Sequence, residues 1–276
     1  MLRTILVALD DSPYTDTATR LAIDWGKRFK ARLLGLGLLD TAAIGRGEAV
    51  PLGASSFKRE RDSARIVDTH GRVQGFLSKF QERCSSEGVA VEVFEGVGNP
   101  AANILRAAHR CDVVMIGRET HFHLDAQKHE ATVAQVLRES PRPVVIVPPK
   151  LPAGEGVLLA YGGGREVAHT LQTFHLLGLT QGETVHVLSV HRDGWHAGEL
   201  ARLACDFLDA HGVTVEMHEV VSKSAPAEVL LDQVQRIQPR MLVMGAHGQH
   251  ALKDLFLSSV THDVLSTCPV PVFLGA

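Results

Sequence analysis

The sequence predicts an α/β protein made of two tandem open parallel sheets, five strands each, with helices on both faces. Two observations carry this. First, residues 112–149 and 240–276 align without a gap. Gly117 falls on Gly245, and the Pro-x-Pro of Pro141 and Pro143 falls on Pro269 and Pro271. The starts match as well, TILVALDDS (4–12) with GVLLAYGGG (156–164), so one unit is written twice. Second, short apolar runs alternate with stretches of helical spacing inside each copy, the pattern of parallel strands joined by crossover helices. A chain of 276 residues fits two domains of about 140 each.

The elements follow in order. TILVAL (4–9) is a continuous apolar run, as a strand buried on both faces requires. Residues 14–30 place Ala18, Leu21, Ala22, Trp25 and Phe29 at helical spacing. A strand at 32–39, a helix over 63–86, a strand at 89–94 and a helix over 100–110 come next. A strand at 113–117, a helix over 130–139 and a strand at 144–148 complete the first copy. The second copy gives strands at 157–161, 184–190, 213–220, 241–245 and 270–275. Its helices fall at 165–177, 196–211, 226–236 and 258–266. Residues 40–60 have no counterpart in the second copy and read as a mobile surface loop.

The Pro/Gly stretch PPKLPAGEG (148–156) marks a linker, which sets domains at 1–149 and 155–276. Formal charge is +3 over residues 1–150 and −6 over 151–276, so the halves differ in sign. The net charge of −3 gives no general drive toward nucleic acid or an anionic membrane surface. No apolar run approaches the roughly 18 residues of a membrane span. The N-terminus lacks the long apolar core and small-residue cleavage site of a signal peptide, so a cytoplasmic protein is expected. Cys84, Cys111, Cys205 and Cys268 form no CxxC pair and read as reduced, buried thiols.

In open parallel sheets, ligands sit beyond the carboxyl ends of the strands, near the point where strand order reverses. The turns after the first and fourth strands are therefore the places to search. After the first strand, the first half offers Asp10, Asp11 and Ser12. A carboxylate there accepts hydrogen bonds from a ribose or a base, or the group simply caps the next helix. The second half has Tyr161 followed by Gly162, Gly163 and Gly164, which is either a phosphate approach or a flexible turn. After the fourth strand, the second half reads Met244-Gly245-Ala246-His247-Gly248, then nine residues, then Ser258-Ser259-Val260-Thr261. Two glycines free backbone N–H groups for an anion, and a serine-opened helix adds its unpaired N–H groups. The alternative is a plain strand–loop–helix connection with a serine cap.

Histidine is abundant, with ten of fifteen in the second half. His247 and His250 fall in the glycine loop, and His191 and His196 in the turn after the second strand of that half. His121, His123 and His129 cluster in the first half. No HxxxH or HExxH spacing marks a metal site, so these read as surface or packing residues and no metal ligands are assigned. No Ser-His-Asp constellation or paired acid and base is legible, so no catalytic residue is assigned.

The pattern Gly245-x-x-Gly248-x9-Ser258-Ser259 resembles the nucleotide signature of universal stress proteins, G-x2-G-x9-G-[ST]. ILVALDDS resembles that family's first strand with its adenine-contacting aspartate. Gly98-Asn99-Pro100-Ala101 resembles its G-[DN]-P-A turn, and Pro-x-Pro-Val precedes each last strand. The resemblance covers nearly the whole chain, twice over. It implies the five-stranded nucleotide-binding fold in each half. It also implies pairing through the last strands, here an intrachain pseudo-dimer with a homodimer as a further option.

By this resemblance Met244, Gly245, Gly248, Ser258, Ser259, Val260 and Thr261 line a nucleotide site in the second half. The second half lacks the aspartate, and Ser258 stands where the signature has glycine. The first half keeps Asp10 and Gly117, but its loop runs Gly117-Arg118-Glu119-Thr120 with Glu130-Ala131 following, so a carboxylate stands where phosphate would rest. The implied function is a regulatory stress-response protein that binds ATP or a related adenine nucleotide, with Mg2+, in its second domain. Rival readings are a nucleotide-free scaffold for an unidentified protein partner and a slow ATPase.

Overall fold

The computed structural model describes residues 1–40, 55–120, 122, 129–246 and 259–275. Its strands are β1 (Thr4–Leu9), β2 (Arg32–Leu39), β3 (Val91–Val97), β4 (Val113–Gly117), β5 (Val144–Val147), β6 (Val157–Ala160), β7 (Thr184–His191), β8 (Thr214–Val221), β9 (Met241–Gly245) and β10 (Val272–Gly275). The helices among the described residues are α1 (Pro13–Phe29), α2 (Ser55–Ser86), α3 (Pro100–Ala108), α4 (His129–Glu139), α5 (Arg165–Leu176), α6 (Gly194–Ala210), α7 (Pro226–Ile237) and α8 (Ser259–Thr267). None of them is long and apolar enough to cross a membrane.

The chain packs as two compact units, Arg3–Val136 and Met1–Leu2 with Leu137–Ala276. In the first, strand order is β3-β2-β1-β4, all parallel. In the second it is β5-β10-β9-β6-β7-β8, parallel except where β5 meets β10. The two repeats thus share the order 3-2-1-4. The units divide at Val136/Leu137, upstream of the 149–155 boundary that the linker suggests. The physical reason is strand pairing. β5 is the last strand of the first repeat, and its antiparallel partner within the second unit is β10, the last strand of the second repeat, with Val145 opposite Phe273. The Met1 ammonium donates to Leu176 O (2.6 Å) and Leu2 N to Leu177 O (2.8 Å), which places these two residues in the second unit.

The strands bury themselves on both faces. Ile5 through Val7, Leu9, Val113 through Ile116 and Leu158 are closed to solvent. All four cysteines are free and buried, and burial pushes the Cys84 thiol up to about 11, which keeps it protonated and unreactive. Helix α2 begins at Ser55, eight residues before the expected start, so residues 55–60 of the expected loop are helical. Phe57 and Val67 of α2 are exposed, so these apolar residues form no buried stripe for periodicity to reveal. Residues 41–54 of that loop lie outside the described residues. β3 runs on to Val97 because Glu95, Gly96 and Val97 pair with Gly37, Leu38 and Leu39.

Helix α2 approaches β2 more closely than any side chain on that face would allow. A Cβ on Gly35 would stand 2.7 Å from Phe80 Cδ1, and one on Gly37 would stand 2.7 Å from Val73 Cγ1. Gly35→Ala should therefore lower stability by about 1–3 kcal/mol through overpacking. Gly71→Ala, on a helical surface with nothing within 4 Å, should raise it by about 0.5–1 kcal/mol. Urea midpoints of the two variants against the parent chain check both signs.

Candidate functional site

In each unit the first strand pairs with the fourth, β1 with β4 and β6 with β9. The chain leaves the first strand toward one side of the sheet and returns to the fourth on the other. A crevice therefore opens at the carboxyl ends of this pair. The two repeats treat that crevice differently.

In the first unit it is filled by the protein itself. Asp10 is buried, and its Oδ1 accepts from Ser12 N (3.0 Å), Ser12 Oγ (2.5 Å) and Thr15 Oγ1 (2.8 Å). Thr15 Oγ1 in turn accepts from Asp10 N at 3.0 Å. The carboxylate thus organises the turn into α1. Ser12 stands at the N-cap, but its side chain caps nothing; its hydroxyl turns back to Asp10 instead. Asp11 pairs with Arg72 of α2. Tyr14, on the first turn of α1, closes the other side. A Cβ on Gly117 would lie 2.6 Å from Tyr14 Cβ, so ring and strand end are in contact. Burial, and after it a hydrogen bond to Glu119, raises the Tyr14 phenol above its usual range. Thr120 aligns with Gly248 of the second repeat; its hydroxyl is fully buried and lacks a hydrogen-bond partner among the described residues.

In the second unit the described part of the matching turn carries glycines in place of these side chains. By the pairing registers, Gly162 occupies the position of Asp10, and a Cβ there would meet nothing within 4 Å. Gly163 adopts φ +75, a left-handed conformation that favours glycine, and a Cβ on it would stand 2.3 Å from Leu200 Cδ2 of α6. Gly164 then takes an extended conformation and starts α5, with Arg165 and Glu166 exposed in its first turn. Burial raises the Tyr161 phenol above its usual range.

Met244 is buried, and Gly245 ends β9 in register with Gly275 of β10. A Cβ on Gly275 would lie 2.0 Å from Thr170 Oγ1, which fixes how closely α5 lies over that edge. Gly248 and Ser258, with His247 and His250, lie outside the described residues. On the far side of that stretch Ser259 opens α8 and is exposed, Val260 is half-buried, and Thr261 is fully buried. Thr261 Oγ1 donates to Ala246 O at 2.9 Å, joining the strand end to the first turn of the helix. Of the expected site residues, Gly245, Ser259, Val260 and Thr261 are thus brought to one edge. Thr261 holds the edge together rather than facing into it.

The turn after β7 reaches the same carboxyl edge. Trp195, 70% exposed, meets His196 edge-to-face at 5.1 Å between centroids, and His196 Nδ1 pairs with Asp193 Oδ2 at 2.7 Å. That hydrogen bond, then one from Trp195 N, holds the Asp193 carboxyl below its usual range. A single tryptophan in a helix start carries no sequence signal, so only the fold reveals its placement on the first turn of α6, whose Leu200 lies against Gly163. The chemistry offered here is that of binding: backbone N–H groups at glycine turns and helix starts, and an exposed aromatic face.

The sequence profile of the universal stress protein family matches residues 1–148 and 180–274. A universal stress protein of Synechocystis sp. is 27% identical over 164 residues, which span 58% of this chain and 56% of that protein. The chain thus matches little more than half the length of that curated relative. Among solved structures, a universal stress protein from Archaeoglobus fulgidus superposes with a TM-score of 0.70 at 19% identity, covering 99% of this chain and 97% of its own. A protein of unknown function from Pseudomonas aeruginosa superposes with a TM-score of 0.60, also at 19% identity, covering 99% and 92%.

The Asp10 turn yields a prediction. Asp10→Ala strips three buried donors of their acceptor and should cost about 1–3 kcal/mol of stability, while Asp10→Asn, which keeps an oxygen, should cost less. Chemical denaturation measures both. Equal midpoints for the parent and the alanine variant would show that the turn holds without the carboxylate.

Proposed function

The chain belongs to the universal stress protein family, and from that premise we propose that its second half binds ATP or a related adenine nucleotide, with Mg2+, at the open carboxyl edge of β6 and β9. The observation that carries this reading is the contrast between the repeats. Asp10 and Tyr14 fill the edge of the first. At the second, Gly162 leaves open space and Gly163 holds a left-handed turn beside it. The Thr261 tether keeps the start of α8 at the end of β9, where helix N–H groups can meet an anion.

The second half has a formal charge of −6, so phosphate attraction must be local. Backbone donors and the bound Mg2+ supply it. The role is regulatory and cytoplasmic: nucleotide shifts the balance between two states that a protein partner distinguishes. The shift is limited to the difference in nucleotide affinity between those states.

Calorimetry of the full chain stripped of small molecules, titrated with ATP and magnesium, tests this. One saturable site per chain is expected. Gly248→Glu, which sets a carboxylate in the signature loop, should abolish binding with the thermal transition unchanged. Gly162→Asp, which restores a carboxylate at the Asp10 position, should tighten it. Absent binding in the parent, or unchanged affinity in Gly248→Glu, overturns this site and turns the search toward a nucleotide-free docking scaffold.

A further inference from the structure

A second constellation lies away from the nucleotide edge, on the β7–β8 ribbon. In a strand, alternate residues share a face. Gly198 of α6 lies against Glu219, and Gly194 against Val221, so α6 covers the face of β8 that carries those residues. His186, Glu216 and His218 stand on the opposite face. His186 is directly across from Glu216 in the parallel register, and His218 lies two residues further along β8. Their donor atoms converge. His186 Nδ1 is 3.1 Å from His218 Nε2 and 3.3 Å from Glu216 Oε2, and the three ligand atoms all lie within 4.8 Å of one another.

These separations have a specific meaning. Around a tetrahedral zinc ion with bonds of about 2.0–2.1 Å, neighbouring ligand atoms stand about 3.3–3.4 Å apart. The ribbon therefore already holds two imidazoles and a carboxylate near the spacing of three tetrahedral corners. The Glu216 side chain is 59% exposed, which leaves the fourth corner to water.

The first repeat shows that packing does not require these residues. In the matching register, Leu34 stands at the position of His186, Glu92 at Glu216 and Phe94 at His218. Glu92 is neutralised there by Arg110 (2.7 Å) and Arg32 (3.4 Å). In the second repeat those two positions are Gln238 and Thr184, so both guanidiniums are gone and two imidazoles take the place of the apolar side chains. Four changes separate the repeats here, and together they move the pocket from a screened carboxylate to a ligand set.

We propose that His186, Glu216 and His218 form a binding site for a divalent late transition metal of zinc-like ligand preference, joining β7 to the edge strand β8. Nitrogen and carboxylate donors of this kind suit Zn2+, and Ni2+ or Cu2+ by the same chemistry, over Mg2+ or Ca2+.

The test uses the full chain, freed of metal by chelation, and Zn2+ as the probe. Titration calorimetry should show one Zn2+ site that is weakened about 100-fold or more in His186→Leu/His218→Phe, a variant that borrows the residues of the first repeat. His218→Gln is a milder second variant, and the metal-free thermal transition of each confirms folding. Co2+ in place of Zn2+ should give the visible absorption of a low-coordinate site in the parent and lose it in both variants. The remaining histidines and the four cysteines are common to all three chains, so any Zn2+ they hold persists and cancels. Equal stoichiometry and affinity in the parent and both variants would overturn the proposal, as would a parent that binds no Zn2+.

Discussion

The pairing of the first strand with the fourth, β1 with β4 and β6 with β9, positions the turns that build the candidate site at the carboxyl edge. These strands are largely closed to water, so their backbone groups must be satisfied within the sheet. Right-handed crossovers then carry the chain away from the first strand on one face and back to the fourth on the other. The turns that leave the carboxyl ends of the pair converge there as a consequence. Glycine turns and helix starts collect there because the chain must reverse within a few residues, and backbone N–H groups come to face the gap.

The two repeats solve that geometry in opposite ways. In the first, Asp10 draws three donors onto one oxygen, and Tyr14 leans on Gly117 until no space for a Cβ remains. In the second, three glycines remove the side chains that would do this, and Gly163 takes a left-handed φ of +75 beside Leu200. A repeat that keeps the family aspartate has thereby consumed it in its own turn. The second repeat carries Gly162 at that position, where a Cβ would meet nothing within 4 Å. Equivalent positions in a duplicated fold can thus differ in side-chain packing while the strand order 3-2-1-4 is kept.

The β7–β8 ribbon shows the same divergence on a sheet face. A carboxylate held by two arginines in one repeat faces two imidazoles in the other. Parallel register does this: it places His186 of one strand opposite Glu216 of the next with a whole helix between them in sequence. Spacing rules for metal ligands capture sites within one helix or one turn, and a cross-strand set falls outside them.

The sequence by itself determined the duplication, the alternation of strand and helix, the buried cysteines and the glycine-rich turns. Each of these is written in local composition: apolar runs, helical spacing, and Gly or Pro at the turns. The signature from Gly245 to Thr261 was legible for the same reason. Tertiary structure alone decided that β5 pairs with β10, that Tyr14 packs against Gly117, that Thr261 ties α8 to Ala246, and that Leu200 of α6 meets Gly163. It also decided that His186, Glu216 and His218 meet. These are contacts between residues far apart along the chain. Strand order and register set them, and a window of sequence carries the pattern of each strand but not the identity of its neighbour.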